Sequence, residues 1–173
     1  SSAHYYFESK QDILAEVFGR QAKTMTDRRS ELLQSALARN PLKPDLREIL
    51  RAFVQPSFEI TRADRDNVVN RLLARLAVER SGAFHEIVSN AFIANDLQFL
   101  DALALAAPQL DRANVLWRFH LLTGAMIYTM SGSGHLERMS DREISHSAWE
   151  SAVEAIVDGF AAMFLAPATA PSK

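Results

Sequence analysis

Apolar residues recur every three or four positions through a proline-free segment near the start of the chain, and this pattern most strongly constrains the fold. The segment runs from about Ser9 to Ala38 and contains one glycine, Gly19. Such spacing places the apolar side chains on one face of an α-helix. At about 1.5 Å per residue the helix would be on the order of 45 Å long, which is enough to connect two functional ends of a molecule.

The same spacing in the rest of the chain predicts five more helices. With only six glycines and almost no alternation of apolar and polar residues, the sequence offers little material for a sheet. Prolines and Gly82 separate the predicted helices, while Pro56 inside the second one should kink it. The expected spans are about 45–61, 64–80, 83–106 and 111–130, followed by a last helix that Ser140 caps together with Glu143. The predicted fold class is all-α.

The fifth predicted helix is apolar on nearly every side, which predicts a second subunit. A helix of this kind must be buried all round, and a small domain rarely provides enough cover by itself. The last helix adds a stripe of small residues that allows close approach of a twin helix. We therefore expect a homodimer whose interface contains Trp117, Leu121, Gly124, Tyr128, Trp149, Ala152, Ile156, Gly159 and Met163.

The charge balance argues against DNA binding by this part of the protein alone. The net charge is −2 and the isoelectric point is near 6.2, whereas affinity for DNA comes largely from clustered lysines and arginines. Here the basic residues are mixed with acids, as in Asp27-Arg28-Arg29-Ser30-Glu31, which is typical of a solvated helix face.

The start of the chain carries a motif in which an aromatic-rich turn leads into Phe-x-Ser-Lys and then into the long helix. Ser9 is a good N-cap there, and Asp12 can complete a capping box. The segment 2–14 resembles the junction of tetracycline-repressor (TetR) family regulators, where the DNA-reading helix meets the connector helix. His4 departs from the tyrosine or asparagine usual at its position in that family.

This resemblance implies a division of the chain. Residues 1–8 would be the end of a helix-turn-helix that begins upstream of the given sequence, 9–38 the connector helix, and 39–166 a ligand-binding and dimerisation domain. The Ala/Pro/Thr-rich residues 167–173 are expected to be disordered. The residues implied to contact operator DNA are Ser2, His4, Tyr5 and Lys10. Lys10 could equally be a solvated surface lysine.

A second stretch resembles a subgroup of the same family. Leu116-Trp117-Arg118-Phe119-His120, followed by Gly124-Ala125-Met126, is similar to the dimer-forming helix of a subgroup that includes fatty-acid-responsive repressors. The resemblance implies an effector such as a fatty acid or an acyl thioester.

Bulky apolar residues on the first four predicted helices could line an effector cavity, since apolar pockets between helices are common ligand sites. The predicted lining is Phe18, Met25, Phe53, Phe58, Leu72 and Phe92. Arg75 or His120 would orient the ligand. Each phenylalanine could instead be plain core, Arg75 could reach solvent, and His120 could be a hydrogen-bonded core or interface histidine.

Neither an enzyme, a cofactor site nor a metal site is predicted. The sequence has no cysteine and no nucleophile motif, and Glu143-Ile144-Ser145-His146 is a lone Glu-x-x-His, although di-iron bundles need two. No apolar run is long enough to span a membrane, so we expect a cytoplasmic protein. The favoured function is a ligand-controlled transcriptional regulator, in the first instance a repressor. The alternative is a helical ligand carrier or protein-interaction domain with no role at DNA.

Overall fold

The computed structural model describes residues 2–63, 83–145 and 148–168, and these residues form a bundle of α-helices. No strand occurs in these ranges, which confirms the predicted all-α class. The helices are α1 (Ser2–Arg39), α2 (Leu46–Ala63), α3 (Ala83–Ala106), α4 (Arg112–Met130), α5 (His135–Met139) and α6 (Trp149–Leu165). The helix predicted over 64–80 lies outside the described residues.

Three of the predicted helices have the expected bounds within two residues, because local signals fix their ends. The turn between α1 and α2 contains Pro41 and Pro44, and Pro108 follows the end of α3. Asp111 is the N-cap of α4, where its carboxylate accepts a hydrogen bond of 2.7 Å from the backbone N–H of Asn114. This bond and a second one from the Asn114 side chain hold the pKa of Asp111 below its ordinary value.

The first helix is longer than the sequence indicated. We expected it to begin at Ser9 after an aromatic-rich turn, but α1 already begins at Ser2, so the capping box of Ser9 and Asp12 is wrong. No glycine or proline lies between Ser2 and Ser9. A serine can act as an N-cap only where the chain before it leaves the helix, and nothing in this segment forces it to do so.

The last helix begins later than predicted, at Trp149. Asp141 and Arg142 adopt left-handed conformations, with φ of 49° and 69°, which a helix cannot contain. The Ser140 hydroxyl instead accepts a hydrogen bond of 3.1 Å from the backbone N–H of Ile144 and so closes a turn. The predicted cap by Ser140 and Glu143 is therefore wrong.

The core lies where α2 packs between α1 and α6, with α3 and α4 covering the remaining sides. Its largest fully buried side chains include Leu33, Ile49, Leu50, Phe53, Phe99, Leu103, Leu122 and Phe164. On the surface, Arg51 of α2 binds Glu154 of α6 through both carboxylate oxygens, at 2.7 and 2.8 Å. Burial of this apolar set is the main source of stability, since an exposed ion pair contributes little.

A buried arginine holds the end of α6. Arg118 of α4 is 7% exposed, and its guanidinium donates hydrogen bonds to the backbone carbonyls of Met163, Ala166 and Pro167. The last carbonyls of a helix have no partner within the helix, so a cation at this end satisfies them and also suits the helix dipole. Pro167, where we expected disorder to begin, is thus bonded to α4, while residues 169–173 lie outside the described part.

Candidate functional site

A charged side chain lies inside the bundle where α1, α2 and α4 meet. Arg29 of α1 is only 2% exposed. Its Nε–H donates to the backbone carbonyl of Phe53 and its Nη2–H donates to the hydroxyl of Ser57, both at 2.8 Å. A third, weaker contact joins Nη2 to the sulfur of Met126 at 3.8 Å. This single residue therefore ties the long first helix to two other helices.

Aromatic rings complete the surroundings of the guanidinium. Its central carbon lies 3.9 Å from the ring centre of Phe53 and 5.9 Å from that of Phe92, so both rings can stabilise the cation. Phe92 in turn meets Phe18 edge to face, with ring centres 6.0 Å apart. We call Arg29, Phe53, Ser57, Phe92 and Met126 the Arg29 cluster.

The Arg29 guanidinium has no close ion-pair partner in the described structure. Among the described residues, no carboxylate lies within 4.0 Å of the Arg29 guanidinium, although the charge of Asp96 on α3 acts on it. Burial raises the pKa of Asp96 to about 6, which the attraction of Arg29 only partly offsets. Burial also lowers the pKa of Arg29 to about 10, so the guanidinium stays charged at neutral pH.

A neighbouring amide is also incompletely bonded. Asn95 of α3 donates through its amide nitrogen to the backbone carbonyl of Thr26, at 3.4 Å, and to the hydroxyl of Ser30, at 3.1 Å. Its carbonyl oxygen Oδ1 is buried and accepts no hydrogen bond. Buried polar atoms are usually bonded, so this oxygen and the unpaired guanidinium mark the α1–α3 contact as a polar region inside an apolar one.

The solvated position that the sequence indicated for Arg29 is wrong. Its charged neighbours Arg28 and Glu31 are exposed and bond to each other, as expected. Arg29, however, is four residues after Met25 and four before Leu33, both of which are buried. Helical periodicity therefore places Arg29 on the core-facing stripe, and that register was the available signal.

The structure brings together part of the predicted ligand-binding set. Phe18, Met25, Phe53 and Phe58 are buried, and Phe92 is half-buried against Phe18. Leu72 and Arg75 lie outside the described residues. His120 is exposed on α4 and contacts the ring of Trp117 edge to face at 6.0 Å, so it faces away from these phenylalanines. The charged group that the described structure places near Phe53 and Phe92 is Arg29.

Two open grooves lie elsewhere on the surface. The larger, of about 610 Å³, is lined by the end of α1, the start of α2 and the end of α6, including Arg39, Leu46 and Leu165. The smaller, of about 270 Å³, lies along the adjacent faces of α1 and α2 near Arg51. No residue of the predicted ligand-binding set lines either groove.

The predicted subunit interface is divided between exposed and buried residues. On α4, Trp117, Leu121 and Tyr128 are 67, 50 and 61% exposed, and Gly124 is also exposed. On α6, Gly159 is exposed, whereas Trp149, Ala152 and Met163 are half-buried. Ile156 instead packs into the core of its own subunit. Trp149 and Ala152 also pack against this core. The exposed members of the set, Trp117, Leu121, Gly124 and Tyr128 on α4 and Gly159 on α6, are called the apolar surface below.

The residues implied to contact DNA lie in the first three turns of α1. The backbone of Ser2, His4, Tyr5 and Lys10 is helical there, and their side chains lie outside the described part. Their role at DNA stays a prediction.

Neither metal-binding nor membrane-spanning features are found in the described portion of the chain. It contains no group of three or more histidine, aspartate or glutamate side chains placed to hold a metal ion. None of its helices combines the length and the apolar character needed to cross a membrane.

Comparison with known families gives an independent assignment. The family model described as "Tetracyclin repressor-like, C-terminal domain" matches residues 51–163, which is more than half of the chain. The match begins within α2 and extends into α6, so it covers Phe53, Phe92 and Met126 of the Arg29 cluster and the apolar surface, whereas α1 with Arg29 lies before it. No curated protein matches the sequence. The chain belongs to the family of tetracycline-repressor-like C-terminal domains.

Proposed function

We propose that the chain is the sensing and dimerising body of a DNA-binding transcriptional regulator, acting as a repressor in the cytoplasm. Family membership supports a regulator in general. The observation that carries the proposal is the continuity of α1, a single helix of 38 residues. It runs from the segment that resembles the DNA-reading junction to the buried cluster in the bundle.

The proposed effector is small and largely apolar, such as a fatty acid or an acyl thioester. It would bind among α1, α2 and α3, where Phe18, Phe53 and Phe92 lie. A ligand shifts a conformational equilibrium only by its difference in affinity for the two states. The relevant difference here is the position of α1 against the bundle, because α1 contacts α2 and α3 most extensively.

Dimerisation would convert that movement into a change at DNA. Two subunits joined by the apolar surface of α4 and α6 would be related by a two-fold axis. Their DNA-reading helices must match half-sites about 34 Å apart, roughly one helical turn of DNA. A shift of the two α1 helices changes this spacing, and the affinity for operator DNA falls or rises accordingly.

Titration of operator DNA tests the proposal. A full-length protein with an upstream helix-turn-helix should bind a near-palindromic site in its own upstream DNA, with affinity that decreases steeply as salt rises. Residues 1–173 alone should show no sequence-specific binding, since their net charge is −2. Nanomolar specific binding by residues 1–173 would contradict the domain division. A full-length protein that binds apolar ligands and no DNA would support the carrier function instead.

A further inference from the structure

We propose that Arg29 binds the carboxylate of the effector, so that the effector is an apolar molecule with one carboxylate group. The inference rests on the proposed function, because it assumes that a small ligand enters the bundle. It adds the chemical class of that ligand and the residue that recognises it.

The guanidinium of Arg29 has hydrogen-bonding capacity that the protein does not use. A guanidinium carries five N–H donors. In Arg29, Nε bonds the carbonyl of Phe53, and Nη2 bonds the hydroxyl of Ser57. The remaining contact of Nη2 is to the thioether of Met126 at 3.8 Å, and a thioether is a weak acceptor. No described residue accepts a hydrogen bond from Nη1.

The charge of Arg29 also lacks an ion-pair partner. Within the described structure, the ion pairs of α1 involve its exposed residues, and none of them includes Arg29. An unpaired buried charge is costly, whereas a carboxylate can meet a guanidinium through two parallel hydrogen bonds that are about twice as strong as neutral ones. A ligand carboxylate would therefore supply both the missing charge and a stronger acceptor than the sulfur of Met126.

The neighbours of Arg29 define the rest of the ligand. Phe18, Phe92 and Met25 provide apolar surface beside the cation, so the body of the ligand must be apolar. The half-buried carboxylate of Asp96 adds a negative charge nearby that repels any anion, so a dianion such as a phosphate monoester would meet about twice the repulsion that a single carboxylate meets. A ligand with a single negative charge is therefore favoured over a dianion.

Binding at this residue would act directly on the connector helix. The guanidinium that would bond a carboxylate also holds α1 to α2 and contacts α4, through Nε and Nη2. A carboxylate that bonds Nη1 and the weakly bonded N–H of Nη2 would re-orient the guanidinium and so change the attachment of α1 to the bundle. Recognition of the ligand and displacement of α1 are thus linked through one side chain.

Three ten-carbon probes with different head groups test the inference on the 173-residue chain. Decanoate, 1-decanol and decyl phosphate would be compared by calorimetric titration. Decanol is the most apolar, so without a buried cation it should bind best. We expect decanoate to bind roughly tenfold more tightly than decanol, since charge-assisted hydrogen bonds are about twice as strong as neutral ones. Decyl phosphate should bind more weakly than decanoate.

Two variants and a matched control separate recognition from folding. Arg29→Gln should lose the preference for decanoate over decanol. Arg29→Lys keeps the positive charge without the planar fork, and should bind decanoate more weakly than the native chain and more tightly than Arg29→Gln. If Arg29→Gln does not fold, the role of Arg29 is tested by comparing decanoate binding between Arg29→Lys and the native chain. The adjacent Arg28→Gln, at an exposed position paired with Glu31, should behave like the native chain.

The possible failures can be told apart. Equal binding of decanoate and decanol by the native chain, or equal weakening of both by Arg29→Gln, overturns the role of Arg29 and leaves an apolar effector standing. Tighter binding of decyl phosphate overturns the carboxylate. Binding of none of the three overturns the inference and also removes the apolar effector from the proposed function, while operator binding by the full-length protein is decided separately.

Discussion

Asp96 lies beside a buried cation, and yet its pKa is raised to about 6, because loss of hydration outweighs the attraction of Arg29. In the unfolded chain the same carboxyl should titrate near its ordinary value of about 3.9. Between these two pH values the folded state holds a proton that the unfolded state has lost. Stability therefore decreases as pH rises through this window, and the loss is complete above about pH 6.

Asp96→Asn should remove this part of the pH dependence. The free energy of unfolding, measured with urea at a series of pH values, should fall from pH 4 to pH 7 by about 2–3 kcal/mol less in the variant than in the native chain. Asp101→Asn is the control, because Asp101 is on the same helix with 77% of its side chain exposed. Identical pH profiles for Asp96→Asn and the native chain would show that Asp96 titrates as a solvated group.

The sequence did not predict that Arg29 and Asp96 lie inside the bundle. Arg29 has charged neighbours on both sides in the sequence, which indicated solvent exposure, although its helical register with Met25 and Leu33 placed it inside. The burial of the phenylalanines predicted to line the cavity could be expected, because burial of large apolar side chains is the rule, whereas their role in binding a ligand stays a prediction. Burial of a cation depends on which acceptors surround it in three dimensions, and those come from α2 and α4, far away in sequence.

At the scale of helices, predictions were accurate where a residue forces the chain to leave the helix. Pro41 and Pro108 forbid continuation, so the ends of α1 and α3 were predictable. The starts of α1 and α6 were not, because Ser9 and Ser140 only favour a cap and the backbone can ignore them. The attachment of α6 to α4 through Arg118 could not be predicted from the sequence either, because it depends on a contact between residues 45 positions apart.

Arg118→Met should destabilise the bundle by loosening the end of α6. The methionine keeps most of the apolar contact and loses the hydrogen bonds to the carbonyls of Met163, Ala166 and Pro167. We expect a loss of about 2 kcal/mol in urea unfolding, in the range for hydrogen bonds made by a charged group. Arg112→Met, on the same helix and 62% exposed, should change stability by less than about 0.5 kcal/mol. Equal stabilities of the two variants would contradict the proposed role of Arg118 in capping the end of α6.

For the whole molecule, the exposed apolar surface of α4 and α6 predicts association. Leu121→Arg should convert a dimer into monomers at micromolar concentration, as observed by sedimentation, because the new charge would be buried without a partner. Leu42→Arg is the control, since Leu42 is 93% exposed in the turn between α1 and α2 and lies outside this surface. A native chain that already sediments as a monomer would contradict the dimer altogether.

The proposed movement of α1 relative to the bundle on effector binding would change the distance between the two α1 helices of a dimer. The sequence has no cysteine, so Lys23→Cys on the exposed side of α1 gives one spin label per subunit. Pulsed electron paramagnetic resonance would compare the label-to-label distance with and without saturating decanoate, with Asp101→Cys on α3 as the reference. We expect decanoate to change the label-to-label distance for Lys23→Cys and to leave it unchanged for Asp101→Cys. Unchanged distances at both positions, with decanoate shown to be bound, would contradict the proposed movement.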